Sequence, residues 1–312
     1  MSEHENVEIV HNDNNNNGHD DNIAKSTPPT GFRVIIKEFA KDKLALFSLI
    51  ILVLIVVGVV VGSMFLDLNE INRISLMEQY DPPSAEHWLG TDAGGRDIFG
   101  ILVIGARNSI VIALVITILT SVLGIGLGIV SGFYGGWVDN VIMRIVDFIS
   151  ILPTTMLIIV IITIIPEYGV VEFILIMSAF YWIGQTRLIR AKALPENRKD
   201  YINASRTMGT PSFTIMFREM MPNISSLIIV NVTLNFAANI GIETGLSYLG
   251  FGLPTSVPSL GTLVSYAQSP DILENKWWVW LPASILILVL MLCINYVGQA
   301  LKRAADSKQR LG

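Results

Sequence analysis

The sequence predicts an all-α polytopic membrane protein with six transmembrane helices and both termini cytoplasmic. Three observations carry that reading. Hydrophobic residues make up 52% of the chain and charged residues only 15%, against about 25% charged in an ordinary soluble domain. The apolar residues gather in runs of about 20, the length needed to cross a bilayer as helix. Of the 21 Lys and Arg residues, only Arg73, Arg96, Arg107 and Lys276 fall in segments that this topology puts outside, leaving 17 within. That bias satisfies the positive-inside rule. The net charge of −5 is unevenly spread. The one cysteine, Cys293, lies in an apolar run and reads as a small buried hydrophobe.

Residues 1–30 are polar, with a run of asparagines and acidic neighbours, and read as a disordered cytoplasmic tail. They do not form a signal peptide, because the first apolar run is too long for an h-region and lacks a small-residue cleavage site. Residues 31–43 set Phe32, Ile35, Ile36 and Phe39 at helical spacing among lysines, the pattern of a helix lying in the membrane interface. The first span is 44–66. An extracellular segment follows at 67–109, with Thr91-Asp92 as a capping signal for an interfacial helix that leads into the second span. The core is 110–305. Its spans are placed at 110–130, 141–165, 170–187, 224–242 and 277–301, with a cytoplasmic loop at 187–223 and an extracellular loop at 246–277. In that outer loop Trp277, Trp278 and Trp280 form an interfacial anchor. Residues 306–312 are a cytoplasmic tail.

The cytoplasmic loop has specific punctuation. Asp200 can accept from free backbone N–H groups at a helix start, and residues 201–208 contain no breaker. Gly209 supplies the left-handed C′ position. Thr210-Pro211 then reads as a second N-cap with proline at the first helical position, opening a helix that runs to about Met221 before Pro222.

Here the residues carry a resemblance. Asn203-Ala204-Ser205, Gly209 and Met221-Pro222 resemble the EAA loop of ABC-importer permeases, a Glu-Ala-Ala triplet, a Gly four residues on and a Leu-Pro beyond. Asn203 replaces the glutamate, Ser205 the second alanine and Met221 the leucine. Outer segments add Leu89-Gly90-Thr91-Asp92, Gly95-Arg96-Asp97, Gly105-Ala106-Arg107, Leu246-Ser247-Tyr248-Leu249-Gly250 and Trp277-Trp278. These are similar to the peptide/nickel branch of that family, and the resemblance extends over roughly residues 32–305.

The resemblance implies a type I ABC importer permease of the bacterial plasma membrane, working by alternating access on di- or oligopeptides. Nickel, or another small solute, is the alternative cargo, and an ion-coupled secondary transporter is the rival mechanism. Implied partners are a second related permease, two cytoplasmic ATP-binding subunits and an extracellular substrate-binding protein, besides membrane lipid; no nucleic acid is expected. ATP and Mg would be used by the partner subunits, and this chain would bind no cofactor. Asn203, Ala204, Ser205, Arg206, Gly209 and Pro222 are the implied ATPase-coupling residues. Arg96, Asp97 and Arg107 are candidates for contact with the extracellular partner.

Other residues are read from their chemistry. Asn231, Asn235, Asn239 and Glu243 recur every four positions in the fifth span and form one polar stripe, drifting by about 40° per step. Two readings stand: a wall of the translocation path, or hydrogen bonds to a neighbouring helix. Gly124, Gly128 and Gly132 mark a face for close helix packing rather than a phosphate loop, since they lie inside an apolar helix. Arg144 and Asp147, three apart, are expected to pair on one helix face. No catalytic site is expected. The four histidines, His4, His11, His19 and His87, lie outside every span, no metal site is formed, and no Walker A pattern occurs.

Overall fold

The computed structural model describes residues 39–67, 71, 73–166, 168–254 and 256–311, with side chains as far as Ala304. The predicted tail 1–30 and most of the interfacial helix 31–43 lie outside the described residues, as do the side chains of the tail 306–312. Among the described residues there is no strand, and the molecule is built of helices. In chain order these are α1 (Lys43–Phe65), α2 (Ile98–Tyr134), α3 (Gly136–Ile151), α4 (Thr154–Ile164), α5 (Val170–Tyr181) and α6 (Ile183–Glu196). They continue with α7 (Asp200–Thr207), α8 (Ser212–Tyr248), α9 (Leu260–Ser265), α10 (Pro270–Asn275) and α11 (Trp277–Leu311).

The central element is α2, which touches α1, α3, α5, α6, α8, α9 and α11. At 37 residues it is about 55 Å long, so the predicted interfacial helix and second span are one rod. Its N-cap is Asp97, whose carboxylate accepts from the Gly100 N–H at 2.8 Å. The expected cap at Thr91-Asp92 instead closes the preceding loop. Asp92 accepts from the N–H groups of Gly94 (2.8 Å) and Arg96 (3.0 Å), which spends its acceptors five residues too early.

Glycine sets how closely α2 meets α6. A Cβ added at Gly124 would stand 2.9 Å from both the Gln185 Cβ and the Trp182 carbonyl oxygen. One at Gly128 would stand 2.7 Å from the Ile189 Cβ and 2.9 Å from the Thr186 carbonyl oxygen, and one at Gly132 would overlap Ala193. The small-residue face read from the sequence is therefore the helix contact itself. Gly126, between them, has nothing within 4 Å.

Among the described residues, four helices are long and apolar enough to cross a membrane: α1, α2, α8 and α11 through Ala304. The pair α3 and α4 makes a fifth if counted as one span, but it is bent by 77°. This corrects the uninterrupted third span at 141–165. Pro153 has no N–H to continue the ladder, and Leu152 before it is held extended, with φ −77° and ψ 136°. The fourth span at 170–187 is also interrupted, leaving α5 with 12 residues. The Trp182 indole N–H donates to the Ala179 carbonyl at 2.8 Å, a side-chain bond at the point where the regular ladder lapses.

The apolar belt faces outward as well as inward. On α1, Leu44, Phe47, Leu54, Met64 and Phe65 are exposed, a continuous surface compatible with lipid and costly in water. Charged pairs lie between helices. Asp147 binds Arg187 at 2.7 Å, across from α3 to α6, rather than the expected Arg144 on its own helix. Arg190 of α6 grips both carboxylate oxygens of Asp139 on α3, which also takes the Ser131 hydroxyl of α2. An interhelical bidentate pair is the stronger arrangement because both donors of the guanidinium fork are used.

Candidate functional site

The most built-up surface feature is α7. Its eight residues carry Asp200 in the first turn, where the carboxylate opposes the helix dipole. The N-cap is Lys199, one residue before the expected Asp200, and its side chain makes no capping bond. The stop is as read from the sequence. Gly209 has φ +80°, its N–H donates to the Arg206 carbonyl at 3.0 Å, and the Thr210 N–H donates to the Ser205 carbonyl at 3.0 Å. This is the paired Schellman closure, which requires a left-handed residue at Gly209.

One face of α7 is locked into the bundle. Ile202 is fully buried against Ile129 and Phe133 of α2, Ile189 and Ala193 of α6, and Ile215 and Met220 of α8. The Ser205 hydroxyl donates to Glu219 at 2.6 Å, which gives a physical reason for serine where the family pattern has alanine. Arg206 folds back: it donates to the Asn197 side chain at 2.6 Å and lies over the Phe133 ring at 4.7 Å. Tyr201 donates to Glu196 at 2.8 Å and accepts from Asn223 at 2.9 Å. Burial, and then the carboxylate accepting its proton, push the Tyr201 phenol well above its ordinary pKa, so it remains a donor through the neutral range.

The other face is open. Asn203, Ala204 and Thr207 are exposed, and Met208 and Phe213 at the tip are 76% and 70% exposed. The Phe213 ring packs against Phe217, with centroids 4.5 Å apart and planes tilted by 39°. The apolar tip at Met208 and Phe213 was not singled out from the sequence; two large apolar residues flanking a glycine stop are the signal that could have found it.

The second helix of the loop does not end at Pro222. It passes through a π-helical turn, Ile215–Met220, and continues to Tyr248. The Met221 N–H bonds to the Met216 carbonyl, five residues back. The widened turn sets Pro222 near the start of a fresh α-helical stretch, where its missing N–H removes no ladder bond.

The polar stripe divides in two. Asn235 donates to Asn231 at 3.1 Å along the helix, and both are half-buried. Asn239 is buried and donates to Thr117 of α2 at 2.8 Å. Glu243 is fully buried and takes three hydroxyls: Ser109 of α2 at 3.1 Å, Ser247 at 2.9 Å and Ser259 at 2.9 Å. Ser109 in turn accepts from the Leu260 N–H at 3.0 Å, so one carboxylate ties α2, α8 and α9 together. Replacing Glu243 with leucine should lower the thermal midpoint of the purified protein by several degrees and expose the 249–260 segment to protease. Glu243→Gln should retain most of the stability, because its amide oxygen still accepts. Equal melting of both variants and wild type would remove this hub from the account.

Of the outer candidates, Arg96 binds Asp92 through Nε at 2.8 Å and Tyr266 at 3.1 Å, and Asp97 is engaged by His87 at 3.2 Å besides its capping role. Arg107 donates to Asn108 at 3.3 Å. Arg96 and Asp97 border a cavity of about 520 Å³ that also meets Arg73 and Glu86, whereas Arg107 lies away from it. Cys293 is buried in α11.

Comparison with known proteins identifies the family. Residues 124–310 match the model of the binding-protein-dependent transport system inner membrane component, and residues 31–83 match the N-terminal transmembrane domain of oligopeptide transport permease C. The chain is 49% identical over 276 residues to the oligopeptide transport system permease protein OppC of Lactococcus lactis subsp. cremoris, covering 88% of this chain and 94% of that one. It is 34% identical to OppC of Bacillus subtilis, covering 87% of this chain and 88% of that one. It is also 34% identical to the dipeptide transport system permease protein DppC of Bacillus subtilis, covering 88% and 85%. These matches show that the chain belongs to the binding-protein-dependent transport system inner membrane components, the ABC-importer permeases.

Proposed function

We propose that this chain is one permease subunit of an ATP-driven peptide importer, with its termini and α7 on the cytoplasmic side. It pairs with a second, related permease; two ATP-binding subunits bind and hydrolyse ATP with Mg, and an extracellular binding protein delivers the peptide. The chain itself is non-catalytic. Its α7 is the element the ATPase grips, with Ala204, Asn203, Met208 and Phe213 as the gripped surface. The observation that carries this is the contrast between the two faces of α7. One is held by Ile202, Ser205 and Arg206, while the other leaves Asn203, Ala204 and Thr207 open, with exposed Met208 just past its end and exposed Phe213 at the start of α8. Such a patch in water marks a protein contact.

Motion delivered there passes along α8, whose half-buried Asn231 and Asn235 line the path. Amides without fixed charge accept varied side chains, which suits peptide cargo. The test is uptake into proteoliposomes holding the whole complex. Labelled oligopeptide should accumulate only with internal ATP and external binding protein, and nickel should not. Accumulation driven by an ion gradient without the ATPase subunits would overturn the reading.

A further inference from the structure

At the same end of the bundle as α7, a second cavity lies between α6, α8 and α11. Its volume is about 260 Å³, too small for a whole lipid and sized for a headgroup. Its rim carries Lys192, Lys199 and Lys302 against one acid, Glu196. Lys199 is shared with Glu196 at 2.9 Å, but Lys192 and Lys302 have no partner among the described residues. The α8 wall carries Ile224, Leu227 and Val230 on successive turns, with Asn223 and Ser226 as its two polar members. We propose that this cavity is a binding site for an anionic phospholipid, its phosphate held by Lys192 and Lys302 and the start of its acyl chains lying on Leu227 and Val230.

Two features select this ligand. The surplus of cations selects a negative group, and basic cavities between helices at the cytoplasmic surface recruit anionic headgroups. The apolar part of the α8 wall selects a lipid over a soluble anion, which would use the lysines and leave Leu227 and Val230 without a role. The site also touches the coupling region, because Glu196 accepts from Tyr201 of α7. Occupancy therefore bears on the seat of α7. The inference rests on the cytoplasmic placement of α7 given above, and not on the cargo.

The experiment uses the full complex in nanodiscs and native mass spectrometry, counting phosphatidylglycerol retained against phosphatidylcholine. Wild type should retain phosphatidylglycerol preferentially. The Lys192→Gln/Lys302→Gln double variant should weaken that retention about tenfold or more. Leu227→Trp, which fills the cavity without touching a charge, should weaken it as well. Complex yield and subunit stoichiometry report that both variants are assembled. Unchanged retention in both would overturn the proposal. So would displacement of the lipid by inorganic phosphate at equal concentration, which would make this a soluble-anion site. A photoreactive residue at position 227 that crosslinks to the acidic stretch 1–24 instead of lipid would overturn it too. Peptide uptake read in parallel separates the two ideas: loss of lipid retention with uptake still ATP-dependent leaves the transport reading intact.

Discussion

Replacing Gly128 with leucine should abolish accumulation of the folded complex in the membrane. The first added carbon already lies 2.7 Å from the Ile189 Cβ and 2.9 Å from a backbone oxygen. Neither is the far end of a flexible side chain, so relief requires α2 and α6 to separate. Overpacking a well-filled core costs about 1–3 kcal/mol. Here the separation would also disturb the neighbouring contacts of Gly124 and Gly132. The control is Gly126→Leu, on the same helix two residues away, with open space around it. It should assemble at wild-type levels. Detergent-extracted yield and a monodisperse size-exclusion profile are the readouts. Wild-type yield for Gly128→Leu would show that the α2–α6 contact is looser than its geometry.

Replacing Ala204 with tryptophan should leave the protein folded and stop transport. Ala204 is exposed on the open face of α7, so no internal contact is lost. On the proposed role of α7, the indole would instead occupy the space of the ATPase contact. Peptide uptake should fall at least about tenfold, a coupling loss of about 1.4 kcal/mol or more. ATP hydrolysis should no longer respond to loaded binding protein. Gly209→Pro attacks the same helix from within, because proline holds φ near −65° where the chain needs +80°. Normal uptake in both variants would mean that α7 is only a connector.

What the sequence revealed follows the range of the interaction involved. Gly209 was legible because a helix stop is decided within a few residues. The spacing of Gly124, Gly128 and Gly132 was legible because small residues repeated on one face of an apolar helix have few other uses. The ion pairs were not. Asp147 has Arg144 at a suitable spacing, yet pairs with Arg187, forty positions away, because the helices that carry them cross there. Asp139 and Arg190 gave no local sign at all. Pro222 was misread for a different reason: proline blocks one ladder bond, and a π turn is a local remedy that composition does not advertise. At Ser205 and Glu243 the residue type was plain but its partners lay on other elements, so only the assembled fold disclosed the role.

The uninterrupted passage of α8 through its π turn has a mechanical consequence. From Ser212 to Glu243 the rod is about 45 Å long, so a tilt of about 5° at one end sweeps the other by about 4 Å. Pivoting near Asn239 and Glu243, the rod passes that hairpin travel on as a smaller displacement of about 1 Å at the depth of Asn231 and Asn235, without melting any segment. The same geometry fixes the fulcrum. Asn239 and Glu243 are pinned to α2, whereas Asn231 and Asn235 are not, so the travel is greatest on the stretch between the hairpin and that pin.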